Sequence, residues 1–204
     1  MSAVLAHEIR NPLASLKGNA QLLAAMLAKR ADAPDGDKLT AKAGRVVDEA
    51  VRLERLTQDL LSFVRTGEIT RAPARVSTLA RDAAAAVSAE ILVSAVDADV
   101  SLDAARMHQV LVNLLENAVA AGPPVRLTAT RERGTLVIEV TDGGTGVPVE
   151  DREKVFEPFF TNKTQGTGLG LAIARRVVEL HRGTLTVGDA PGGGARFRIE
   201  IPET

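Results

Sequence analysis

His7 and Glu8 begin a run, His7-Glu8-Ile9-Arg10-Asn11-Pro12, that sets a ring nitrogen beside a carboxylate. A neutral imidazole is a competent nucleophile near neutral pH, and an adjacent carboxylate stabilises the cation that forms as it attacks. Far downstream lie three further segments of chemical interest. Asn113 and Asn117 sit four apart, so they share one face of a helix. Asn117 could lend its carbonyl oxygen to a hard cation bridging phosphates. Asp142 ends an alternating apolar pattern, where a carboxylate can accept from an exocyclic amine, and Gly144 and Gly146 let backbone come close to a flat ring. Gly166, Thr167, Gly168, Leu169 and Gly170 open a helix whose unpaired amides favour phosphate oxygens. The run lacks the Gly-Lys-Ser/Thr of a Walker loop and the preceding strand of a dinucleotide fingerprint. Lys163, three residues upstream, could reach a phosphate or be a solvated loop lysine. Each segment also has a plain reading: an exposed helix histidine, a common Asp-Gly-Gly turn, asparagines at caps or on a surface. The functional reading rests on finding all four in this order and at this spacing.

Such groups need elements to hold them. Ile9, Leu13, Leu16, Ala20, Leu23 and Leu27 advance by fours and threes, a heptad-like seam. Turn residues between Asp32 and Asp37 interrupt it, and a second seam follows through Leu39, Ala43, Val46, Ala50, Leu53, Leu56, Leu60 and Phe63. A lone antiparallel pair leaves half its apolar surface wet, and two copies forming a four-helix bundle would cover it, so a homodimer is expected. His7 falls beside the buried stripe, and Pro12 predicts a bend nearby. The stretch 67–74 has glycine, proline and charge without a period, which places a linker between domains at 1–66 and 75–204. Beyond it the pattern predicts a helix from 76 to about 87 and short strands at 91–95 and 100–102. A helix capped by Asp103 follows and runs to Gly122. Strands at 125–130 and 136–141 turn at Arg133-Gly134. A helix over 169–181 stops at Gly183, and strands at 184–187 and 195–201 close around Pro191-Gly192-Gly193-Gly194. The expected class is α+β: a helical hairpin, then a two-layer α/β sandwich with helices on one face of a mixed sheet.

Composition narrows the function. Lysine plus arginine (25) nearly cancels aspartate plus glutamate (26), so no overall field draws nucleic acid or an anionic membrane. Three of the five phenylalanines fall at 156–160, which disfavours base-stacking platforms. Without cysteine there are no thiolate metal sites and no cysteine nucleophile. No apolar run approaches the roughly 20 residues of a membrane span, and the start lacks a signal-peptide pattern, so a soluble chain is expected.

Taken together, the chain resembles the catalytic core of a two-component sensor histidine kinase. The likeness covers essentially all of it: His7 to Leu13 as the H box, Asn113 to Asn117 as the N box, Asp142 to Gly146 as G1, Phe156 to Phe160 as the F box, and Gly166 to Gly170 as G2. The resemblance implies a dimerisation and phosphotransfer domain at 1–66 and a GHKL-type ATP-binding domain at 75–204. It implies that His7 receives the γ-phosphoryl group of ATP, with Glu8 as the base that orients the imidazole. Asn11 would orient a water for dephosphorylating a regulator, the alternative being a local polar residue before Pro12. Asn117 would hold Mg2+ with Asn113 nearby, and Asp142 would recognise adenine. The segment from Phe156 to Gly166, with Lys163, would form a lid over the nucleotide. Gly144, Gly146, Thr167, Gly168, Leu169 and Gly170 complete the implied ATP-binding set. The implied partners are a second copy and the receiver domain of a response regulator, with no nucleic acid and no membrane contact by this segment. The implied location is cytoplasmic, compatible with a membrane-anchored parent protein.

Two departures stand out. Ala120 occupies a position where many relatives carry lysine or arginine, so one phosphate contact is missing or comes from Lys163 or an arginine. Only six residues precede His7, so the expectation is a fragment or minimal core without its input domain, with a weakened dimer. Two rival readings remain. An ATPase of the gyrase, Hsp90 and MutL group would place a water-activating glutamate where this chain has Asn113, and would lack the His7 hairpin. A non-catalytic dimeric module would bind ATP structurally or not at all. His108 and His181 receive no catalytic role. His181 precedes Arg182-Gly183, where a positive group suits the carboxyl end of a helix.

Overall fold

The computed structural model describes residues 14, 16–27, 36–65, 69–161 and 167–203. His7, Glu8, Asn11, Lys163 and Gly166 lie outside the described residues, as does the bend expected at Pro12. The chain divides into two compact units after Arg65.

The first unit is helical over 16–27 (α1) and over Gly36–Arg65 (α2). Asp37 sits in the first turn of α2, where a negative charge suits the helix dipole. The two predicted seams separate by side-chain size. Ala20, Ala43 and Ala50 are buried, whereas Leu16, Leu23, Val46, Leu53 and Leu60 keep between 40% and 53% of their surface exposed. Lys17 Nζ meets Glu54 Oε2 at 3.1 Å and links the two helices. A pair this open contributes less than about 1 kcal/mol, so apolar contact, not charge, sets the helix register. A row of large apolar side chains is thus left uncovered.

The second unit holds a five-stranded sheet in the order β2-β4-β5-β7-β6 and a two-stranded ribbon, β1-β3. The strands are β1 (Ala72–Arg75), β2 (Ile91–Ala95), β3 (Asp99–Leu102), β4 (Val125–Glu132), β5 (Thr135–Thr141), β6 (Thr184–Asp189) and β7 (Ala195–Pro202). β2 and β4 run parallel, and the other neighbours are antiparallel, so the sheet is mixed as expected. Within the stretch 67–74, expected as a linker, the second half carries β1, which pairs with β3 from Ala72↔Leu102 to Arg75↔Asp99.

Three helices pack on one face: α3 (Val76–Ala85), α4 (Ala104–Ala121) and α5 (Gly170–Leu180). Their inner stripes are Val76, Leu79, Ala80 and Ala83; Met107, Val110, Leu111, Leu114, Leu115 and Ala118; and Ala172, Ile173, Ala174, Val177 and Val178. They meet Leu127, Leu136, Ile138, Val140, Phe197, Ile199 and Ile201, all nearly or wholly buried. Every second residue of β7 is buried, the signature of a strand with one face on a core. The intervening Arg198 donates to Glu139 Oε1 and Glu200 Oε1 at 2.8 Å each, and these two acids raise its already high pKa. Arg133 and Gly134 both have positive φ (48° and 80°), as a tight two-residue hairpin turn between β4 and β5 requires. Asp103 caps α4 as expected, its Oδ1 accepting from the Arg106 amide at 3.1 Å. The carboxyl end of α4, the end of β5 and the start of β7 converge, and Asp142 and the glycines that follow it lie there.

Candidate functional site

Asp142 follows β5 directly and is only 5% exposed. Its N–H donates to Ala195 O at 3.1 Å. Its Oδ1 accepts from two amides, Gly144 N at 2.9 Å and Ala195 N at 3.0 Å. Two donors converging on one oxygen fix the carboxylate's rotamer. The turn beyond it is clasped to the end of α4: Gly143 N donates to Gly122 O at 2.9 Å. A Cβ on Gly143 would stand 2.1 Å from Pro123 O, and one on Gly144 would stand 2.9 Å from Ala121 Cβ. Gly144 therefore has a packing duty that the sequence reading, concerned with a flat ring, did not assign. Gly146 (φ +78°) faces Gly194 O, 3.2 Å from its would-be Cβ.

Asn113 and Asn117 lie half-buried on α4, beside the stripe that holds the wholly buried Leu114 and Ala118, while Glu116 points to solvent. Asn113 Nδ2 donates to Gly170 O at 3.1 Å and so ties α4 to the first residue of α5. Among the described residues no cluster of three or more histidines, aspartates or glutamates could hold a free metal ion. Neutral amide oxygens are hard ligands suited to a magnesium ion that brings its other ligands as phosphate and water. The residues present fit a cation that travels with a nucleotide.

Phe156 closes a 3-10 turn, Lys154–Phe156, and is buried. Its ring meets Phe197 edge-on, centroids 6.3 Å apart, and the Arg175 guanidinium lies over its face at 5.3 Å. The F-box residue taken as part of the nucleotide set is therefore turned into the core at its ring. Phe159, with φ +69°, is 62% exposed; its N–H donates to Gly168 O at 2.9 Å. That bond joins the end of the F box to the start of G2. Leu169 is wholly buried and its carbonyl accepts from Ile173 N at 2.9 Å, so it packs α5 down between two half-buried glycines. Thr167 and Gly168 are each half-buried.

His181 corrects one expectation. Expected to suit a positive charge at the end of a helix, it is instead fully buried. Nδ1 lies 2.8 Å from Val177 O, and Nε2 accepts the Asp103 amide at 3.0 Å. One nitrogen donating and one accepting is the pattern of a neutral imidazole. Burial, aided by Arg71, pushes His181 below the ordinary histidine value against the Val177 carbonyl and Asp103. Asp103 in turn takes the Thr70 amide on Oδ2 at 2.9 Å. Burial works against its carboxylate, but the Thr70 and Arg106 amides outweigh that and hold it low. This chain connects the exit from the linker, the start of α4 and the end of α5. A stability effect follows. The unfolded imidazole takes up a proton near pH 6.5, and the folded one only at lower pH, so acid favours unfolding. The contribution is fully present above about pH 6.5 and is lost as the pH falls below it. Urea midpoints measured from neutral to mildly acid pH are expected to fall in the wild type, and in His181→Gln to start lower and fall less.

The residues that sequence reasoning missed are Gly194 and Ala195. The loop was legible as a glycine turn, but nothing local signals its contact with Asp142.

Comparison with known proteins bears on the whole chain. Residues 102–204 match the profile of the histidine kinase-, DNA gyrase B- and HSP90-like ATPases, and residues 1–69 match the His Kinase A (phospho-acceptor) domain. The catalytic domain of the histidine kinase ThkA superimposes with a TM-score of 0.61 at 30% identity, covering 67% of this chain and 97% of that one. This chain belongs to the sensor histidine kinases. A curated relative, the sensor histidine kinase ZraS of Escherichia coli O157:H7, is 36% identical over 214 residues, covering 99% of this chain and 45% of the relative. The sensory histidine kinase/phosphatase NtrB of Rhodobacter capsulatus is 33% identical over 226 residues, covering 99% and 61%. Full-length ShkA in complex with AMPPNP gives a TM-score of 0.78 at 30% identity, over 100% of this chain and 45% of that one. The chain thus spans about half the length of the histidine kinase ZraS. Among its described residues no helix is long and apolar enough to cross a membrane.

Proposed function

We propose that this histidine kinase chain binds ATP with Mg2+ on its α/β unit and transfers the γ-phosphoryl group to His7. The division of labour is 1–66 for dimerisation and phosphotransfer, 67–74 for connection and 75–204 for nucleotide binding. Asp142 presents a fixed carboxylate to the 6-amino group of adenine. Gly168, Leu169 and Gly170 bring the phosphates to the start of α5, where the glycines put no side chain in the way and the helix dipole favours anions. Asn117 would hold the magnesium that accompanies the nucleotide, with Asn113 nearby on α4. Phe156 anchors the near end of the lid, and Lys163 and Gly166 belong to its span. Bound Mg2+–ATP supplies the transferable group and neutralises its charge. The His7 nitrogen forms the N–P bond as the bond from the γ-phosphorus to the β–γ bridging oxygen breaks. ADP leaves with that oxygen, and Glu8 stabilises the positive ring or takes the proton from its other nitrogen.

One observation carries transfer over hydrolysis. Asn113, where the related ATPases carry a water-activating glutamate, is a neutral amide that donates to Gly170 O at 3.1 Å. The inner face of α4 therefore offers no carboxylate to activate water. The partners that fit are a second copy, which would cover Leu16, Leu23, Val46, Leu53 and Leu60, and a receiver domain whose aspartate takes the phosphoryl group from His7. Asn11 would orient water for the reverse, dephosphorylating role. The cytoplasm, where ATP is abundant, is the compartment this reading requires.

Incubation with γ-labelled ATP and magnesium tests the reading. Protein label that is acid-labile and alkali-stable supports the kinase. Free phosphate without protein label would show an ATPase, and neither product would show a non-catalytic module.

A further inference from the structure

Resting on the ATP reading, we propose that the β6–β7 turn sets base specificity: Gly194 and Ala195 are positioning residues that dictate which oxygen of Asp142 meets the purine. Gly194 has φ +86°, and a Cβ there would stand 2.0 Å from Asp142 O and 2.8 Å from Asp142 Oδ1. Backbone cannot yield to so close an approach, so the position requires glycine for conformation and for space. Gly188 and Gly192 of the same hairpin have nothing within 4 Å of a would-be Cβ. Gly194 O accepts from Ala190 N at 3.0 Å, and Gly193 N donates to Ala190 O at 3.1 Å, which braces the turn. Its closeness brings the Ala195 amide to Asp142 Oδ1 at 3.0 Å, beside the Gly144 amide at 2.9 Å.

With Oδ1 held by two donors, Oδ2 is the oxygen turned to the base. It can only accept, so it pairs with a purine bearing an amino group at position 6 and opposes one bearing a carbonyl there. The same clamp makes an unusual demand on an amide replacement. In Asp142→Asn the amide oxygen must take the inner place, because its NH2 group would otherwise face two N–H donors. The NH2 group then points at the base and favours a 6-oxo purine. Without the Gly194 approach the inner donors shift and that orientation is no longer imposed.

The experiment measures dissociation constants for ATP and inosine triphosphate, which differ at position 6, in the folded chain with magnesium. Wild type is expected to prefer ATP, Asp142→Asn to prefer inosine triphosphate, each by about tenfold or more. Gly194→Ala is expected to lose ATP affinity about tenfold while inosine triphosphate affinity changes little. Combining Gly194→Ala with Asp142→Asn is expected to remove the reversal, whereas Gly188→Ala leaves both constants as in wild type. A loss of general packing would instead weaken both nucleotides together, and that result for a folded Gly194→Ala overturns the proposal. If Gly194→Ala does not fold, Asp142→Asn decides alone: an unreversed preference overturns it. Wild type that binds neither nucleotide overturns the ATP reading itself, a different failure from bound ATP with unmoved selectivity.

Discussion

Asp142→Ala is expected to bind ATP about 100-fold more weakly than wild type and to unfold at lower denaturant concentration. The two effects have one source. The carboxylate satisfies the amides of Gly144 and Ala195 in a place only 5% exposed. Alanine leaves both donors without their acceptor, and a buried unmade hydrogen bond costs about 1–3 kcal/mol. The base loses its partner at the same time, and every 1.4 kcal/mol or so is a factor of ten in affinity. Calorimetric titration with ATP and a urea melt of the free protein read the two effects separately. Unchanged affinity in the alanine variant would remove Asp142 from the base site. Unchanged stability would mean that solvent replaces the lost acceptor.

Gly168→Ala is expected to lower ATP affinity more than tenfold while adenosine affinity falls much less. Gly168 has φ +68°, and a Cβ would stand 2.5 Å from the Phe159 carbonyl carbon. The left-handed conformation costs an alanine roughly 1–2 kcal/mol, and the clash adds about 1–3 kcal/mol. The cheapest relief breaks the bond from Phe159 N to Gly168 O and shifts the amides that begin α5. On the proposed reading those amides serve the phosphates and not the base, so adenosine is the informative comparison. Equal losses for ATP and adenosine would show that the site had collapsed as a whole.

Much of this architecture can be read from the chain because its signals are local. Asp103 caps α4, Arg133 and Gly134 make the β4–β5 turn, and alternation along β7 puts one side on the core. Each depends on neighbours within a turn or a strand. The missed features depend on residues far apart. Ala72–Arg75 is a short strand interrupted by Pro73, and it exists only because β3 pairs with it. His181 has the spacing of a charged helix end, but its neutrality comes from burial and from an amide 78 residues away. Gly194 and Asp142 meet across 52 positions through the bare backbone of a glycine, which residue types cannot announce. At the site, the order of motifs gave the family, while the duties of Gly143 and Gly144 against α4 needed coordinates. Asn113 was grouped with the nucleotide ligands because it shares a face with Asn117. Its bond to Gly170 adds a structural task at the junction of α4 and α5.

The central claim is that the terminal phosphate of ATP ends on the His7 ring, and fragmentation mass spectrometry of the intact reaction product tests it most directly. After incubation with ATP and magnesium under alkaline work-up, the account predicts one added phosphoryl group, located at His7 and absent from His7→Gln. A phosphoryl group found on any other residue, or persisting in His7→Gln, would contradict it.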